Sequence, residues 1–316
     1  MRKLTFVLIT MAFITFIIEP HFSPANQITK IPYIGKVRKL FDSGGKETKY
    51  FIPIVKDEFA KNRIANAQLL HLGKITQYLK WLGTEQDPDV RRHYLFEIGH
   101  SSAEEAKWVI NELLPMFEKE SVENVRIAYI SCLASLAANA ELNDDDILKI
   151  LDTIRITVET DSSWDVKIHA ANILSWYGGG DEGVTAIREV IDKNIQVVPD
   201  VMYCVPSTLQ RIGGDTATEL LNEIKSYSKD ENLKIDSGWR LYQLGLASKE
   251  ETLSTVETVA KNSKDEKARM RAISILGAIA KGNPEVKSTI KSIADIEKNK
   301  TVRRFLDQVL ESLENR

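Results

Sequence analysis

The chain has 316 residues, 43% of them hydrophobic and 28% charged, with a formal net charge of −3. That length accommodates one large domain, two ordinary ones or a stack of small repeats. The near-neutral, slightly acidic balance excludes the electrostatic footprint of a general nucleic-acid binder, so no nucleic-acid partner is expected.

The N-terminus reads as a targeting signal. Arg2 and Lys3 precede an uncharged, mostly apolar run from Leu4 to Ile18, and Ser23-Pro24-Ala25 places small residues where a signal peptidase cuts. The run falls short of the ~20 residues that cross a bilayer as a helix. The expectation for 1–25 is a cleaved signal peptide, with an uncleaved membrane anchor through residues 1–18 as the alternative. Either reading puts the remainder outside the cytoplasm, secreted or periplasmic. Residues 26–56 hold Pro32, Gly35, Gly44, Gly45 and Pro53 with Lys36, Arg38 and Lys39 between them, and read as a linker or irregular lead-in. Tyr50 to Val55 is a candidate short strand or extended stretch.

From about residue 57 the chain becomes periodic. An apolar anchor is followed by residues at +4, +8 and +11, which share one face of a helix. Val125 leads to Tyr129, Leu133 and Leu136; Val166 to Ala170, Leu174 and Tyr177; Ala268 to Ala272, Leu276 and Ile279; Val302 to Leu306, Leu310 and Leu313. Val201 leads to Val205, Leu209 and Ile212, and Leu233 to Ser237, Leu241 and Leu244; Val90, with Tyr94, Ile98 and Ser101, is weak at its last position, and Ile64 with Gln68, Leu72 and Ile75 is weaker again. The anchors from Val90 onward are 35, 41, 35, 32, 35 and 34 residues apart. A closed globule has no reason to keep that period; stacked helix pairs do. Second helices carry their own start signals: Ser102 with Glu105, Ser248 with Glu251, Asn143 before three aspartates, and Asn283 before Pro284. Asp181 and Asp215, each after a glycine run, are expected as caps.

Asp87-Pro88-Asp89-Val90-Arg91, Glu123-Asn124-Val125-Arg126, Trp164-Asp165-Val166-Lys167, Asp265-Glu266-Lys267-Ala268-Arg269 and Lys300-Thr301-Val302-Arg303 resemble the HEAT repeat family. The resemblance spans roughly residues 57–316. It implies an all-α fold, an α-solenoid built as a right-handed superhelix of antiparallel helix pairs behind the N-terminal signal or anchor segment. It also implies that an acidic residue before each helix and the basic residue after each anchor tie neighbouring repeats. Lys234 makes a partial match, Met202 departs from the pattern, and the charged C-terminal helix around Val302 reads as a cap.

Little in the chain points to chemistry. The five histidines make no H-E-x-x-H, and there is no paired-cysteine zinc spacing and no P-loop. His93 and His169 hold the same repeat position, but Tyr94 and Ala170 follow them where iron-binding HEAT enzymes carry a carboxylate. Both are read as packing or hydrogen-bonding between helices. Gly178-Gly179-Gly180 and Gly213-Gly214 are read as left-handed helix caps rather than phosphate cradles. Cys132 and Cys204 lie two repeats apart and are expected to be separate buried thiols. Asn299-Lys300-Thr301 matches a glycosylation sequon. No catalytic residue, cofactor or metal is expected. The functional expectation is a non-enzymatic protein-binding or scaffolding module that presents a concave helical groove to a peptide or protein. Trp108, Trp164, Trp176 and Tyr177 are its candidate contact residues; the alternative is a HEAT-like metal-dependent or lyase-type enzyme.

Overall fold

The computed structural model describes residues 75–138 and 142–314, and every regular element among them is a helix. The signal or anchor segment, the lead-in with its candidate strand at 50–55, and the positions Ile64, Gln68 and Leu72 lie outside the described residues. Two compact units emerge, divided between Met202 and Tyr203.

In the first unit, α1 (Ile75–Leu82) precedes α2 (Pro88–Ile98), α3 (Ala103–Glu118), α4 (Glu123–Ala137), α5 (Asp144–Thr160), α6 (Trp164–Trp176), α7 (Asp181–Asp192) and the single turn α8 (Pro199–Met202). The leading helices α2, α4 and α6 pack side by side as one row; the following helices α3, α5 and α7 form a second row against them. In the second unit, α9 (Val205–Ile212), α11 (Glu231–Gln243), α13 (Glu266–Ile279) and α15 (Lys300–Glu314) lead, and α10 (Gly214–Tyr227), α12 (Lys249–Asn262) and α14 (Pro284–Ile296) follow. Each unit is thus a HEAT/armadillo-like stack of helix pairs, as the period requires.

The anchors Val90, Val125, Val166, Ala268 and Val302 are fully buried, together with Leu133, Leu276 and Leu306 from their helical faces. Val201 departs from this pattern. It is half-buried in α8, and the fully buried residue of that repeat is Val205, at the start of a separate helix. Pro206 explains the break: it lacks the N–H that would bond to the Met202 carbonyl in one continuous helix, whereas Pro199 stands at the first position of α8, where no N–H is needed. The C-terminal helix α15 buries Val302, Phe305, Leu306 and Val309 and exposes Arg304, Asp307, Gln308 and Glu311 on its other side, the division expected of a terminal cap.

The helix starts repeat a small hydrogen-bonded frame. Asp87, Ser163, Asp230, Asp265 and Asn299 cap their leading helices by accepting from backbone N–H groups of the first turn. Two residues earlier, a second acceptor takes the N–H of the cap itself. It is Glu85 for Asp87, Glu120 for Val122, Asp161 for Ser163, Ser228 for Asp230, Ser263 for Asp265 and Glu297 for Asn299, at 2.7 to 3.1 Å. Among the following helices, Ser102 and Glu105 complete a reciprocal capping box. Ser248 caps α12 by accepting from the Glu251 N–H, while the Glu251 carboxylate pairs with Lys225. Asp181 and Asp215 are not caps. They sit inside the first turns of α7 and α10, behind Gly180 and Gly213, where their charge faces the positive helix end.

In three repeats the basic residue after the anchor reaches the frame of the next repeat. Arg91 pairs with Glu120, Arg126 grips Asp161 through two hydrogen bonds of 2.9 Å, and Arg269 meets Glu297 at 3.0 Å. Arg126 also donates to the Ser121 carbonyl and Arg269 to the Ser263 carbonyl. The acid that ties these repeats lies before the helix, as the resemblance implied, at the position two before the cap. A second tie runs alongside: Ser163 donates to Glu123, and Asn299 to Glu266.

Both members of the Arg126–Asp161 pair are largely withdrawn from water, at 13% and 9% side-chain exposure. Removing one member strands the other, at a cost of about 3 kcal/mol. Arg126→Ala and Asp161→Ala should each lower urea stability by roughly that amount, and the double variant by clearly less than their sum; additive losses in the cycle would contradict the coupling. Gly277 faces Val309 where a Cβ would stand only 2.8 Å from a methyl group. Gly277→Val should cost about 1–3 kcal/mol, read as a lowered urea midpoint, because α13 and α15 have to part.

Candidate interaction surface

The frame fixes which residues of a leading helix face away from the stack. Counting from the cap, position +13 is at least half-exposed in every repeat, and position +9 is so in all but α13, where Ser274 is buried. They are Phe96 on α2 and His100 just beyond its end, Ser131 and Ser135 on α4, Asn172 and Trp176 on α6. In the second unit the same positions carry Trp239 and Gln243 on α11, Ser274 and Ala278 on α13, and Gln308 and Ser312 on α15. The inward positions repeat as aliphatic residues; these outward ones repeat only in place, not in chemistry.

His93 and His169 both sit at position +6, as their spacing predicts. His169 ties neighbouring helices, with its Nε2 2.9 Å from Ser131 Oγ. The Ser131 hydroxyl donates to the Ile127 carbonyl, so the Nε2–H tautomer donates to Oγ. A general base needs the opposite arrangement, with a lone pair facing the hydroxyl. Burial lowers the His169 pKa to about 4. His93 is 5% exposed, also lowered by burial, and its Nε2 lies 3.6 Å from Glu97 within its own helix. In the second unit position +6 holds Asp236 and Arg271, which form a bidentate ion pair between α11 and α13. Next to it the buried Arg240 donates to Gln210 at 2.8 Å and to Gln243 at 3.3 Å. His169, Asp236 and Arg271 thus make cross-helix polar ties from position +6, whereas His93 pairs within its own helix and Ala128 and Phe305 hold the position on α4 and α15.

The aromatic candidates do not gather at one place. Trp164 and Trp176 stand at opposite ends of α6, about 18 Å apart along a helix rising 1.5 Å per residue. Trp164 lies under the Lys167 ammonium, 4.9 Å from its ring centre. Trp176 is 44% exposed at an outward position, and Trp108 is 38% exposed on α3, in the other row. Tyr177 serves the stack: its hydroxyl donates to the Ala134 carbonyl at 2.8 Å and so binds the end of α6 to α4. Trp239 and Tyr242, stacked with ring centres 5.5 Å apart, are the aromatic pair that the sequence reading passed over. Their signal was available in the repeat register, since Trp239 falls at +9.

Among the described residues no group of three or more His, Cys, Asp or Glu is arranged to hold a metal ion. Cys132 is a buried free thiol whose pKa is raised by burial; Cys204 is also free but half-exposed, not buried as expected, because it lies in the broken segment before α9. Gly178 and Gly213 have φ of +77° and +71°, values that favour glycine; Gly213, with ψ of −164°, closes α9 outside the left-handed helical region expected of a cap. In the sequon, Asn299 uses both ends of its amide: Oδ1 accepts from Thr301 and Val302, and Nδ2 donates to Glu266. Glycosylation there would sacrifice the cap and one tie.

No protein-family model matches this sequence, and no curated protein is similar to it. Two solved structures share its repeat character. An engineered protein is 18% identical over 77% of this chain and 98% of its own, with a TM-score of 0.28. A designed armadillo repeat protein in complex with the peptide (KR)4 is 14% identical over 76% of this chain and 100% of its own, with a TM-score of 0.29. Superpositions that loose carry no functional argument, and the fold rests on the helix pairs themselves.

His169 supplies a pH test. Its unfolded pKa is near 6.5, and the folded value is about 4. Between these values the unfolded chain binds a proton that the folded chain refuses. Its contribution is complete above pH 6.5 and declines as pH falls toward 4. The urea midpoint should drop across that window, and His169→Gln should flatten the drop; an unchanged profile in the variant would show that His169 is not responsible.

Proposed function

We propose that this chain is a non-enzymatic protein-binding or scaffolding module of the cell envelope or exterior, offering a row of leading helices to a peptide or protein. One observation carries the reading. Caps, anchors and interrepeat ties recur in register, while the outward positions +9 and +13 change from repeat to repeat. A unit that spends its regularity on the frame and its variety on one face is built to be read along that face. The strongest anchors are Trp176 in the first unit and Trp239 in the second, since large rigid aromatics dominate binding energy at small cost in side-chain entropy.

The apolar N-terminal run and its basic prelude support export and, if uncleaved, a membrane tether through residues 1–18. Fractionation of cells producing the full chain, followed by N-terminal sequencing, tests both points: extracytoplasmic protein beginning near residue 26 means cleavage, and cytoplasmic protein ends the envelope reading.

For binding, the partner retained from an envelope fraction is titrated against purified wild type and against Trp176→Ala and Trp239→Ala. At least one substitution should weaken the Kd at least tenfold, as loss of an aromatic hot spot does; Trp176→Ala should leave the melting temperature unchanged, whereas Trp239→Ala, which removes a ring packed on the core of the second unit, should also lower it. Wild-type affinity in both variants, or stoichiometric iron or zinc in the purified protein, would overturn the reading.

A further inference from the structure

The charge of this chain is unevenly distributed. Residues 75–202 carry 11 basic and 23 acidic side chains, a net −12, whereas 203–316 carry 19 and 17, a net +2. Residues 1–74 carry 12 and 5, a net +7. The near-neutral total conceals an acidic first unit and a basic N-terminal segment. Within that segment, residues 28–41 hold Lys30, Lys36, Arg38 and Lys39 and no acid, interspersed with Ile28, Ile31, Ile34, Val37, Leu40 and Phe41.

The row of following helices in the first unit has the complementary surface. Trp108 on α3 and Leu148 and Ile156 on α5 are 38%, 50% and 57% exposed, on helices that are neighbours in the row. Pro115 is exposed on α3 at the position, thirteen after its cap, that Ile156 occupies on α5. Acids surround these apolar residues. Arg155 is already engaged by Asp152 and Glu182, and Lys149 by Asp146. Glu112, Asp144, Asp145 and Glu159 are exposed, and their carboxylates meet no basic side chain among the described residues, the Lys167 ammonium reaching only the Glu159 backbone carbonyl. An exposed apolar strip in an acidic field suits a segment that is both basic and apolar.

We propose that residues 28–41 of this same chain dock on the outward face of α3 and α5. The 33 residues from 42 to 74 that join the segment to α1 can span up to about 110 Å when extended, far more than the ~24 Å length of α3. Tethering on one chain also supplies an effective concentration that a free peptide lacks. The charge partition favours this occupant over a second copy of the chain, because two first units would bring −12 against −12. The contact involves the row opposite the leading helices, so it leaves the surface of the proposed function open.

Hydrogen exchange of the full chain, read by mass spectrometry, tests the proposal. Peptides from α3 and α5 should exchange several-fold faster in Lys36→Glu/Arg38→Glu/Lys39→Glu than in wild type, while those from α13 and α15 stay unchanged. Ile156→Glu, at an exposed site where folding is retained, should have the same effect on α3. Zero-length carbodiimide coupling should join Lys36 or Lys39 to Asp145 or Glu159 within monomers. Three results would each overturn the proposal: equal exchange on α3 and α5 in all three proteins, cross-links found only between chains, or protection of 28–41 that arises only with phosphatidylglycerol vesicles.

Discussion

The structure depends on where an arginine ends. In three repeats the guanidinium beside a buried anchor crosses to a carboxylate that already holds the start of the next leading helix. One acid thereby fixes the turn, through the N–H of the cap, and the spacing of two helices, through the arginine. Because these pairs are mostly withdrawn from water, each is costly to break, although its net worth against an apolar substitute is modest. Its larger effect is on register. Aliphatic side chains can slide past one another with little penalty, whereas an Arg–carboxylate pair, above all the bidentate Arg126–Asp161 pair, accepts few alignments.

Where the tie is missing, the repeat is irregular. Lys167 follows its anchor in the usual place, yet it donates to the Glu159 carbonyl and covers the Trp164 ring instead of reaching a carboxylate in the next repeat. The chain that follows contains Asn194 at φ +50°, the four-residue turn α8 and two prolines before α9 takes shape. That is also where the two units divide. A second irregularity surrounds Lys234. The acceptor two before the next cap is Ser263, which is held by Glu231, and the load moves to the Asp236–Arg271 and Arg240–Gln210 ties one turn further along.

The polar residues that would attract attention in an enzyme are mostly structural here. His169 and Ser131, Tyr177 and Ala134, and Asn299 and Glu266 each join one helix or repeat to another. The residues left to meet a partner are those the ties do not use, at the outward ends of the leading helices and on the acidic face of α3 and α5.

The sequence by itself determined the helical period, the anchors and most of the caps, because these follow from local rules: apolar spacing sets the buried face, and a short polar side chain before a helix meets its free N–H groups. It also determined that His93 and His169 share a register. The tertiary structure decided which acid each arginine would find, since Glu120, Asp161 and Glu297 lie 28 to 35 residues from their partners and only stacking brings them near. It decided that Val205 and not Val201 anchors its repeat, because Pro206 interrupts the helix that the periodic pattern would run through. It separated Trp164 from Trp176 and gave Tyr177 to the stack: a linear spacing fixes a residue's place on its own helix, and only the neighbouring helix determines whether that place is covered.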